Sequence, residues 1–215
     1  MIIAIDGPAG AGKSTIARRL GAELGLFFLD TGAMYRAVTL EVLRRGFDPD
    51  DGAAAAAVAG ELLLAFDERG ITIDGASAAA DVRTPEVDGS VSQVAVHPEV
   101  RRALVAQQRR IAEQLGGAVA EGRDVTTVVF PRADFRFYLD ASAAVRARRR
   151  AHQLGAPEHG EEIRRGIEER DRIDSTRADS PLVLGEGVTR IDTDALDAEG
   201  VVRELLRRVR GEVAR

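Results

Sequence analysis

The stretch with the clearest chemistry is GPAGAGKST, which runs from Gly7 to Thr15 directly after the apolar opening MIIAID. The spacing G-x-x-x-x-G-K-S, between a short predicted strand and a predicted helix, is typical of a phosphate-binding loop. Its glycines allow backbone N–H groups to turn inward toward an anion, and the N-terminus of the following helix adds partial positive charge. The pattern therefore predicts a nucleoside triphosphate site formed by Gly7, Pro8, Ala9, Gly10, Ala11, Gly12, Lys13, Ser14 and Thr15.

Two side chains of this loop have the most specific expected roles. Lys13 is the only lysine among 30 basic residues, the others all being arginine. A compact ammonium can reach the β- and γ-phosphates where a planar guanidinium is a poor substitute, and the Ser14 hydroxyl is a ligand for Mg²⁺. The alternative is a glycine-rich turn without a ligand, but all four motif positions match. The dinucleotide-binding pattern G-x-G-x-x-G is excluded because Thr15 stands where its third glycine belongs.

The composition limits the class of protein. A chain of 215 residues with 45% hydrophobic content suits one α/β domain with an insertion, or two small domains. The lack of cysteine excludes disulfides and thiolate metal sites. No apolar run approaches the ~18 residues of a membrane span, and a net charge of −5 does not favour nonspecific binding to nucleic acid. We expect a soluble, cytoplasmic monomer without a membrane or nucleic-acid partner.

Hydrophobic periodicity predicts strands that alternate with helices. The helix after the phosphate-binding loop is followed by the apolar strand LFFLD and a second helix from about Ala33 to Arg45, which is the opening of a parallel βαβ fold. We further predict an Ala-rich helix over Ala53–Phe66, a short strand in GITIDG, and core strands in AVAEG, FRFYLD and VTRIDT. Other helices are expected from Pro98 (with Val100, Leu104, Ile111 and Leu115 on one face), from Ser142, over about Gly160–Asp174, and at the end of the chain.

Charge is distributed unevenly along the chain. Residues 48–90 hold ten acidic residues and two arginines, whereas residues 146–177 hold nine arginines and seven acidic residues. An anionic ligand would prefer the second region. There ERDRIDSTR places Arg170, Asp174 and Arg177 at i, i+4 and i+7, on one helical face. Such a face is also typical of a solvated ladder of salt bridges.

Position favours the functional interpretation of these charges. Arg36 and Arg123 each stand at the end of a predicted strand or loop, and either could be an ordinary surface residue. The carboxyl ends of parallel strands, however, form the edge at which open α/β sheets bind ligands. We therefore expect the arginines to contribute to an anion site.

Five stretches together resemble the bacterial cytidylate kinases of type 1, within the P-loop nucleoside monophosphate kinases: GPAGAGKST, DTGAMYRA, SQVAVHPEVR, EGRDVTTVVFP and IEERDRIDSTRADSPL. They follow the family's order and approximate spacing over nearly the whole chain, and the last three are far more specific than the phosphate-binding loop. The resemblance implies an α/β fold, with a P-loop parallel sheet core flanked by helices, a small acceptor-binding insertion and a helical lid. It also implies transfer of the γ-phosphoryl group of ATP, with Mg²⁺, to CMP and dCMP.

The resemblance also implies a division of the chain and a set of substrate contacts. Residues 1–215 would form a single kinase unit, with its core at about 1–47, 91–145 and 178–215, the acceptor-binding insertion at about 48–90 and the lid at about 146–177. Thr31 and Tyr35 would line the acceptor pocket, and Arg36, Arg123 and Arg177 would hold the CMP phosphate. Ser92, Arg101 and Asp124 would read the cytosine edge, and Arg170 and Asp174 would bind the ribose. Lys13, Arg146 and Arg150 would contact the transferring phosphoryl group.

The sequence departs from the family pattern at two places, and two rival functions have to be compared with it. Thr126 stands where the family pattern has Gly, which predicts a stiffer backbone, and the segment 74–81 is blander than the usual insertion. The alternative is a P-loop kinase of another small acceptor, of the UMP, shikimate or gluconate type. A shikimate or gluconate kinase would share the phosphate-binding loop but would not need Ser92, Arg101 and Asp124 to read a base. A GTPase is excluded because its guanine-reading motif needs a second lysine.

Overall fold

The computed structural model describes residues 1–155 and 157–212. Ala156, within the expected lid, and residues 213–215, within the expected core, lie outside this range. The described chain forms two units: residues 1–29 with the residues from 115 onward make the first, and residues 30–114 make the second.

Helices and strands are interspersed along the chain. In order, they are β1 (Ile2–Asp6), α1 (Lys13–Leu24), β2 (Phe27–Asp30), α2 (Thr31–Arg44), α3 (Gly52–Glu61), β3 (Leu64–Asp67), β4 (Gly70–Ile73), β5 (Ala76–Ser77), α4 (Pro85–Ala95), α5 (Pro98–Gln114), β6 (Ala118–Glu121), β7 (Phe135–Asp140), α6 (Ala143–Leu154), α7 (Gly160–Thr176), β8 (Thr189–Asp192) and α8 (Ala198–Val209).

A five-stranded parallel sheet forms the centre of the first unit, in the order β2-β6-β1-β7-β8. Helices cover both faces of a parallel sheet, so the side chains on both sides of each strand are buried. The strand sequences are therefore continuously apolar and do not alternate between apolar and polar residues. The central strand β1 shows this, because four of its five residues are buried. The predicted α/β fold with a parallel sheet core is therefore confirmed.

The core of this unit packs the sheet against α1 and α8. Its largest fully buried side chains include Ile3, Ile5, Leu20, Phe137 and Leu139. The helices α6 and α7 pack against each other, and Ala147 and Ile167 enclose Ala9 of the phosphate-binding loop. The two helices of the expected lid thus rest on that loop.

The second unit combines helices α2 to α5 with a small antiparallel sheet, β3-β4-β5. Two of these helices begin at a capping residue: Asp51 accepts hydrogen bonds from the first N–H groups of α3, and Thr84, followed by Pro85, caps α4. The helix α4 was missed by the sequence analysis, although Thr84-Pro85 is a recognised start signal.

Two sequence-based predictions in the second unit were wrong. The predicted helix over Ala53–Phe66 ends at Glu61, and Leu64–Asp67 forms a strand that pairs with β4 through the turn at Glu68 and Arg69. The Asp67 carboxylate accepts hydrogen bonds from Arg69 N and Gly70 N and so stabilises that turn. Leu115 lies beyond the end of α5 and is 51% exposed, so it is not part of that helix's apolar face.

None of the helices among the described residues is both long and apolar enough to cross a membrane.

Two helical glycines give opposite predictions for stability. A Cβ at Gly21, in α1, would lie 2.8 Å from the Leu26 carbonyl oxygen, whereas a Cβ at Gly60, in α3, meets nothing within 4 Å. We expect Gly21→Ala to lower the free energy of unfolding by about 1–3 kcal/mol through overpacking, and Gly60→Ala to raise it by about 0.5–1 kcal/mol through helix propensity. Urea unfolding of both variants checks this, and equal effects would contradict the close packing at Gly21.

Candidate functional site in two parts

The phosphate-binding loop connects the end of β1 to the start of α1. Gly10 and Gly12 have φ values of 76° and 89°, in the left-handed region that favours glycine. A Cβ at Gly7 would lie 2.2 Å from the Leu139 carbonyl oxygen, so the loop also packs too closely on β7 for any side chain there. The backbone geometry explains why the motif spaces its glycines as it does.

Lys13 is the first residue of α1 and is only 5% exposed. Its ammonium donates a hydrogen bond to the Pro8 carbonyl at 2.8 Å, which holds it over the loop. Burial, together with the positive charges of Arg123 and Arg170 and against the effect of Glu121, lowers the pKa of Lys13 from 10.5 to about 7. Several cations are thus concentrated around the loop, an arrangement that an anionic ligand stabilises.

Ser14 and Glu121 bring two oxygen ligands together. The Ser14 hydroxyl donates to Glu121 Oε1 at 2.7 Å, and Glu121 is the buried last residue of β6. The sequence analysis named Ser14 as a metal ligand but did not assign Glu121. The available signal was an acidic residue at the end of a predicted core strand, within EGRD.

Arg123, Asp174 and Arg177 form an ion-pair cluster, in which Arg123 and Asp174 are 51 residues apart in the sequence. Arg123 Nε donates to Asp174 Oδ2 at 2.8 Å, and Arg177 Nη1 lies 3.5 Å from Asp174 Oδ1. Burial by itself raises the pKa of Asp174, but the charges of Arg123, Arg177 and Arg170 outweigh it and hold that pKa below 3.8. The structure therefore brings these four predicted residues close to one another.

One detail of this cluster differs from the sequence analysis. Arg170 and Asp174 lie on α7, but Arg177 is the residue at which the helix ends, with φ −55° and ψ 139°. Its Nη2 donates to the Ser180 carbonyl oxygen at 2.8 Å. Arg177 reaches Asp174 from the chain beyond the helix and not from a shared helical face.

Arg146, on α6, is buried against the phosphate-binding loop. Its Nη1 donates to the Ala9 carbonyl oxygen at 2.9 Å and to Asp171 Oδ2 at 2.5 Å, while its Nε donates to the Ala141 carbonyl oxygen at 2.9 Å. Asp171 Oδ1 accepts from Ala9 N at 3.1 Å. Asp171 was missed by the sequence analysis, because nothing in the pattern distinguishes it from the other acids of α7. Arg150, one turn further along α6, is half-buried and donates to Gln153 Oε1 at 3.1 Å.

Asp124 follows Arg123 and precedes a π-helical turn over Val125–Val129, which no sequence pattern predicted. Asp124 is buried, and its carbonyl oxygen accepts hydrogen bonds from Val128 N at 2.8 Å and Val129 N at 3.2 Å. Single π-helical turns are rare and frequently occur at functional sites.

The remaining predicted acceptor residues lie in the second unit. Thr31, Tyr35 and Arg36 belong to α2, half-buried Ser92 to α4, and Arg101 to α5.

Three of these acceptor residues make contacts within that unit. The Arg101 guanidinium carbon lies 5.2 Å from the centroid of the Tyr35 ring, and Arg101 Nη1 donates to the Ala95 carbonyl oxygen at 2.9 Å. Arg36 pairs with the Asp88 carboxylate, a partner that the sequence analysis did not identify. Its guanidinium is thereby already directed at an anionic oxygen.

The sequence matches the family model described as cytidylate kinase over residues 3–211. It is 43% identical to the cytidylate kinase of Solibacter usitatus (strain Ellin6076), over 99% of this chain and 94% of that protein. The bifunctional pantoate ligase/cytidylate kinase of Synechococcus sp. (strain CC9902) is 44% identical over 99% of this chain, which spans only 46% of that relative's length. A solved structure of shikimate kinase from Acinetobacter baumannii in complex with shikimate has a TM-score of 0.47 at 15% identity, covering 99% of this chain and 94% of that one.

The ion-pair cluster predicts how stability depends on pH. Because the pKa of Asp174 is lower in the folded state than its ordinary value of 3.8, its contribution is fully present above that value and is lost as the pH falls through the folded-state pKa. Asp174→Asn should lower the free energy of unfolding by about 1–3 kcal/mol at pH 7, and the difference from wild type should shrink at pH 3.

Urea unfolding at both pH values measures this, and Glu169→Gln serves as the control. Glu169 also lies on α7, but its ion pair with Arg172 is exposed, so its loss should change stability little at either pH. If Asp174→Asn lowers the free energy of unfolding by the same amount at pH 7 and pH 3, the ion pairs do not stabilise the fold.

Proposed function

We propose that this chain, which belongs to the cytidylate kinase family, transfers the γ-phosphoryl group of ATP to CMP and to dCMP. The products are the nucleoside diphosphate and ADP. One observation carries the proposal: Lys13, Arg123 and Arg170 are close enough for their charges to interact around the phosphate-binding loop. A concentration of cations around the phosphates, here buried Lys13 with half-buried Arg123 and Arg170, is what a reaction between two phosphate groups requires. The activity places the protein in pyrimidine nucleotide salvage.

The donor side fits ATP and Mg²⁺. The backbone of Gly7–Thr15 would surround the phosphates, with the Lys13 ammonium on the β- and γ-phosphates. The Ser14 hydroxyl and the Glu121 carboxylate, 2.7 Å apart, are the hard oxygen ligands that Mg²⁺ prefers. When bound, Mg²⁺ would neutralise the charge that develops on the phosphate oxygens.

The acceptor side follows from the residues that match the family pattern. Arg36, Arg123 and Arg177 would hold the CMP phosphate, since bidentate guanidinium groups fix the orientation of a phosphate. Arg123 and Arg36 already pair with carboxylates, so their guanidinium groups are oriented toward anionic oxygens. The other expected contacts are Thr31 and Tyr35 for the pocket, Ser92, Arg101 and Asp124 for cytosine, and Arg170 and Asp174 for the ribose hydroxyls.

The protein's contribution to the reaction is positioning and charge stabilisation. Phosphoryl transfer needs the two substrates held in line and positive groups on the developing charge. Arg146 and Arg150 would supply two of these groups from α6 when the lid closes over the substrates and excludes water. In this structure Arg146 binds Ala9 and Asp171, which holds its guanidinium against the phosphate-binding loop.

We further propose that the protein acts in the cytoplasm as a monomer and has no nucleic-acid partner. The proposal concerns the described chain, which spans under half the length of the bifunctional relatives.

A coupled assay with ATP and Mg²⁺ against a panel of acceptors tests the function. We expect turnover of CMP and dCMP, and no turnover of shikimate or gluconate. Lys13→Ala should lower kcat by about 10²–10⁵, because it removes a group that stabilises transition-state charge. Lys13→Arg is the matched variant, and it should also lose activity because the forked guanidinium does not replace a point charge. Phosphorylation of shikimate or gluconate without CMP turnover would show that the proposed function is wrong.

Base selectivity gives a sharper test of Asp124. Cytosine has an N4 amino donor where uracil has an O4 acceptor, so an ionised carboxylate at that edge favours CMP over UMP. We expect Asp124→Ala to reduce kcat/KM for CMP much more than for UMP, so that their ratio approaches one. Lys13→Ala should reduce both equally and is the control. An unchanged ratio in Asp124→Ala would remove the base-reading role.

A further inference from the structure

Asp6, at the carboxyl end of β1, is a buried acid to which neither the sequence analysis nor the proposed mechanism gives a role. It is 0% exposed and accepts three hydrogen bonds: from Val125 N at 2.8 Å, from Thr126 N at 2.7 Å and from Thr126 Oγ1 at 2.6 Å. Burial raises the pKa of Asp6 above 3.8, against the lowering effect of the hydrogen bonds from Thr126 and Val125. A carboxylate is costly to bury without such partners.

The three hydrogen bonds cap the π-helical turn that follows Asp124. The first N–H groups of a helical turn have no partner within it and are usually bound by the residue that precedes the turn. Here the side chain of Asp124 does not cap the turn. Instead, the carboxylate of Asp6, which precedes Val125 by 119 residues, accepts hydrogen bonds from Val125 N and Thr126 N. The position of Arg123 and Asp124 is therefore tied to the end of β1.

The same residue is adjacent to the donor loop. Gly7 begins the phosphate-binding loop directly after Asp6, and the negative charge of Asp6 acts on Lys13. One buried side chain thus connects the segment expected to bind ATP with the segment expected to bind CMP, within a single unit.

Thr126 supplies a hydrogen bond that the family's usual Gly cannot make. Its side chain is fully buried, and its hydroxyl gives the shortest of the three contacts to Asp6. A β-branched residue also restricts the backbone of the turn. In this chain, the departure from the family pattern therefore reinforces the link between β1 and the turn.

We propose that Asp6 and the Thr126 hydroxyl are positioning residues, which hold Arg123 and Asp124 in the orientation that selects the acceptor. The inference rests on the proposed function, because Arg123 and Asp124 are assigned there to the phosphate and the base of CMP. It extends that function by naming two residues that act through others and do not touch the substrate.

Three variants test the inference. Thr126→Val removes the hydroxyl and keeps the branched shape, whereas Thr126→Ser keeps the hydroxyl and is the matched control. We expect Thr126→Val to raise KM for CMP about 5- to 10-fold, the effect of one lost buried hydrogen bond, with KM for ATP within about 2-fold of wild type. The CMP/UMP ratio of kcat/KM should fall by a similar factor, and Thr126→Ser should retain both values. Asp6→Asn should show the same pattern with a larger loss.

The outcomes separate this inference from the proposed function. A wild-type enzyme that phosphorylates CMP, with unchanged KM and CMP/UMP ratio in Thr126→Val, would overturn the positioning role alone. An equal rise of both KM values, or a lower melting temperature with unchanged kinetics, would likewise show a purely structural cap. A wild-type protein with no CMP turnover would overturn the proposed function and this inference with it. If Asp6→Asn does not fold, the two Thr126 variants still decide the question.

Discussion

The register between β1 and β6 is the constraint on which the first unit depends. Ile5 lies opposite Glu121, and Gly122 N donates to the Ile5 carbonyl oxygen at 3.0 Å, so the two strands end side by side. The phosphate-binding loop leaves one strand end and the segment from Gly122 to Asp124 leaves the other. Because the pairing is parallel, both segments emerge at the same edge of the sheet. A shift of register by one residue would separate them and reverse the direction of every side chain.

The contacts of the site follow from this register. Ser14 reaches Glu121, Asp6 reaches Val125 and Thr126, and the charge of Arg123 acts on Lys13. Each contact joins residues more than a hundred positions apart in the chain, and each involves a group at or just beyond a strand end. Buried acids lie at this edge together with buried Lys13 and half-buried Arg123, so that opposite charges offset part of the cost of burial. Burial and the neighbouring cations nevertheless lower the pKa of Lys13 to about 7, so additional negative charge would stabilise the site.

The helices α6 and α7 add a second set of charges to the same loop. Asp171 binds both Ala9 N and Arg146, and Asp174 binds Arg123 and Arg177. These two carboxylates, three residues apart on one helix, connect α7 to the loop and to the β6 segment. The guanidinium groups of Arg123, Arg146 and Arg177 in these pairs are also the ones predicted to bind phosphoryl groups.

The sequence by itself determined the parallel α/β core, the phosphate-binding loop and the helix that carries Arg170 and Asp174, because apolar runs, glycine spacing and helical periodicity are local signals. Tertiary structure alone decided the partners. Strand pairing ended the predicted helix at Glu61 and made Leu64–Asp67 a strand. It also selected Glu121 for Ser14, Asp171 for Arg146, Asp88 for Arg36 and Asp6 for the turn after Asp124. A position at the end of a predicted strand is a local signal for Glu121, but no local pattern shows which partner any of these acids binds. Their roles depend on which strand ends and helices meet in space, and that is set by the packing of the whole chain.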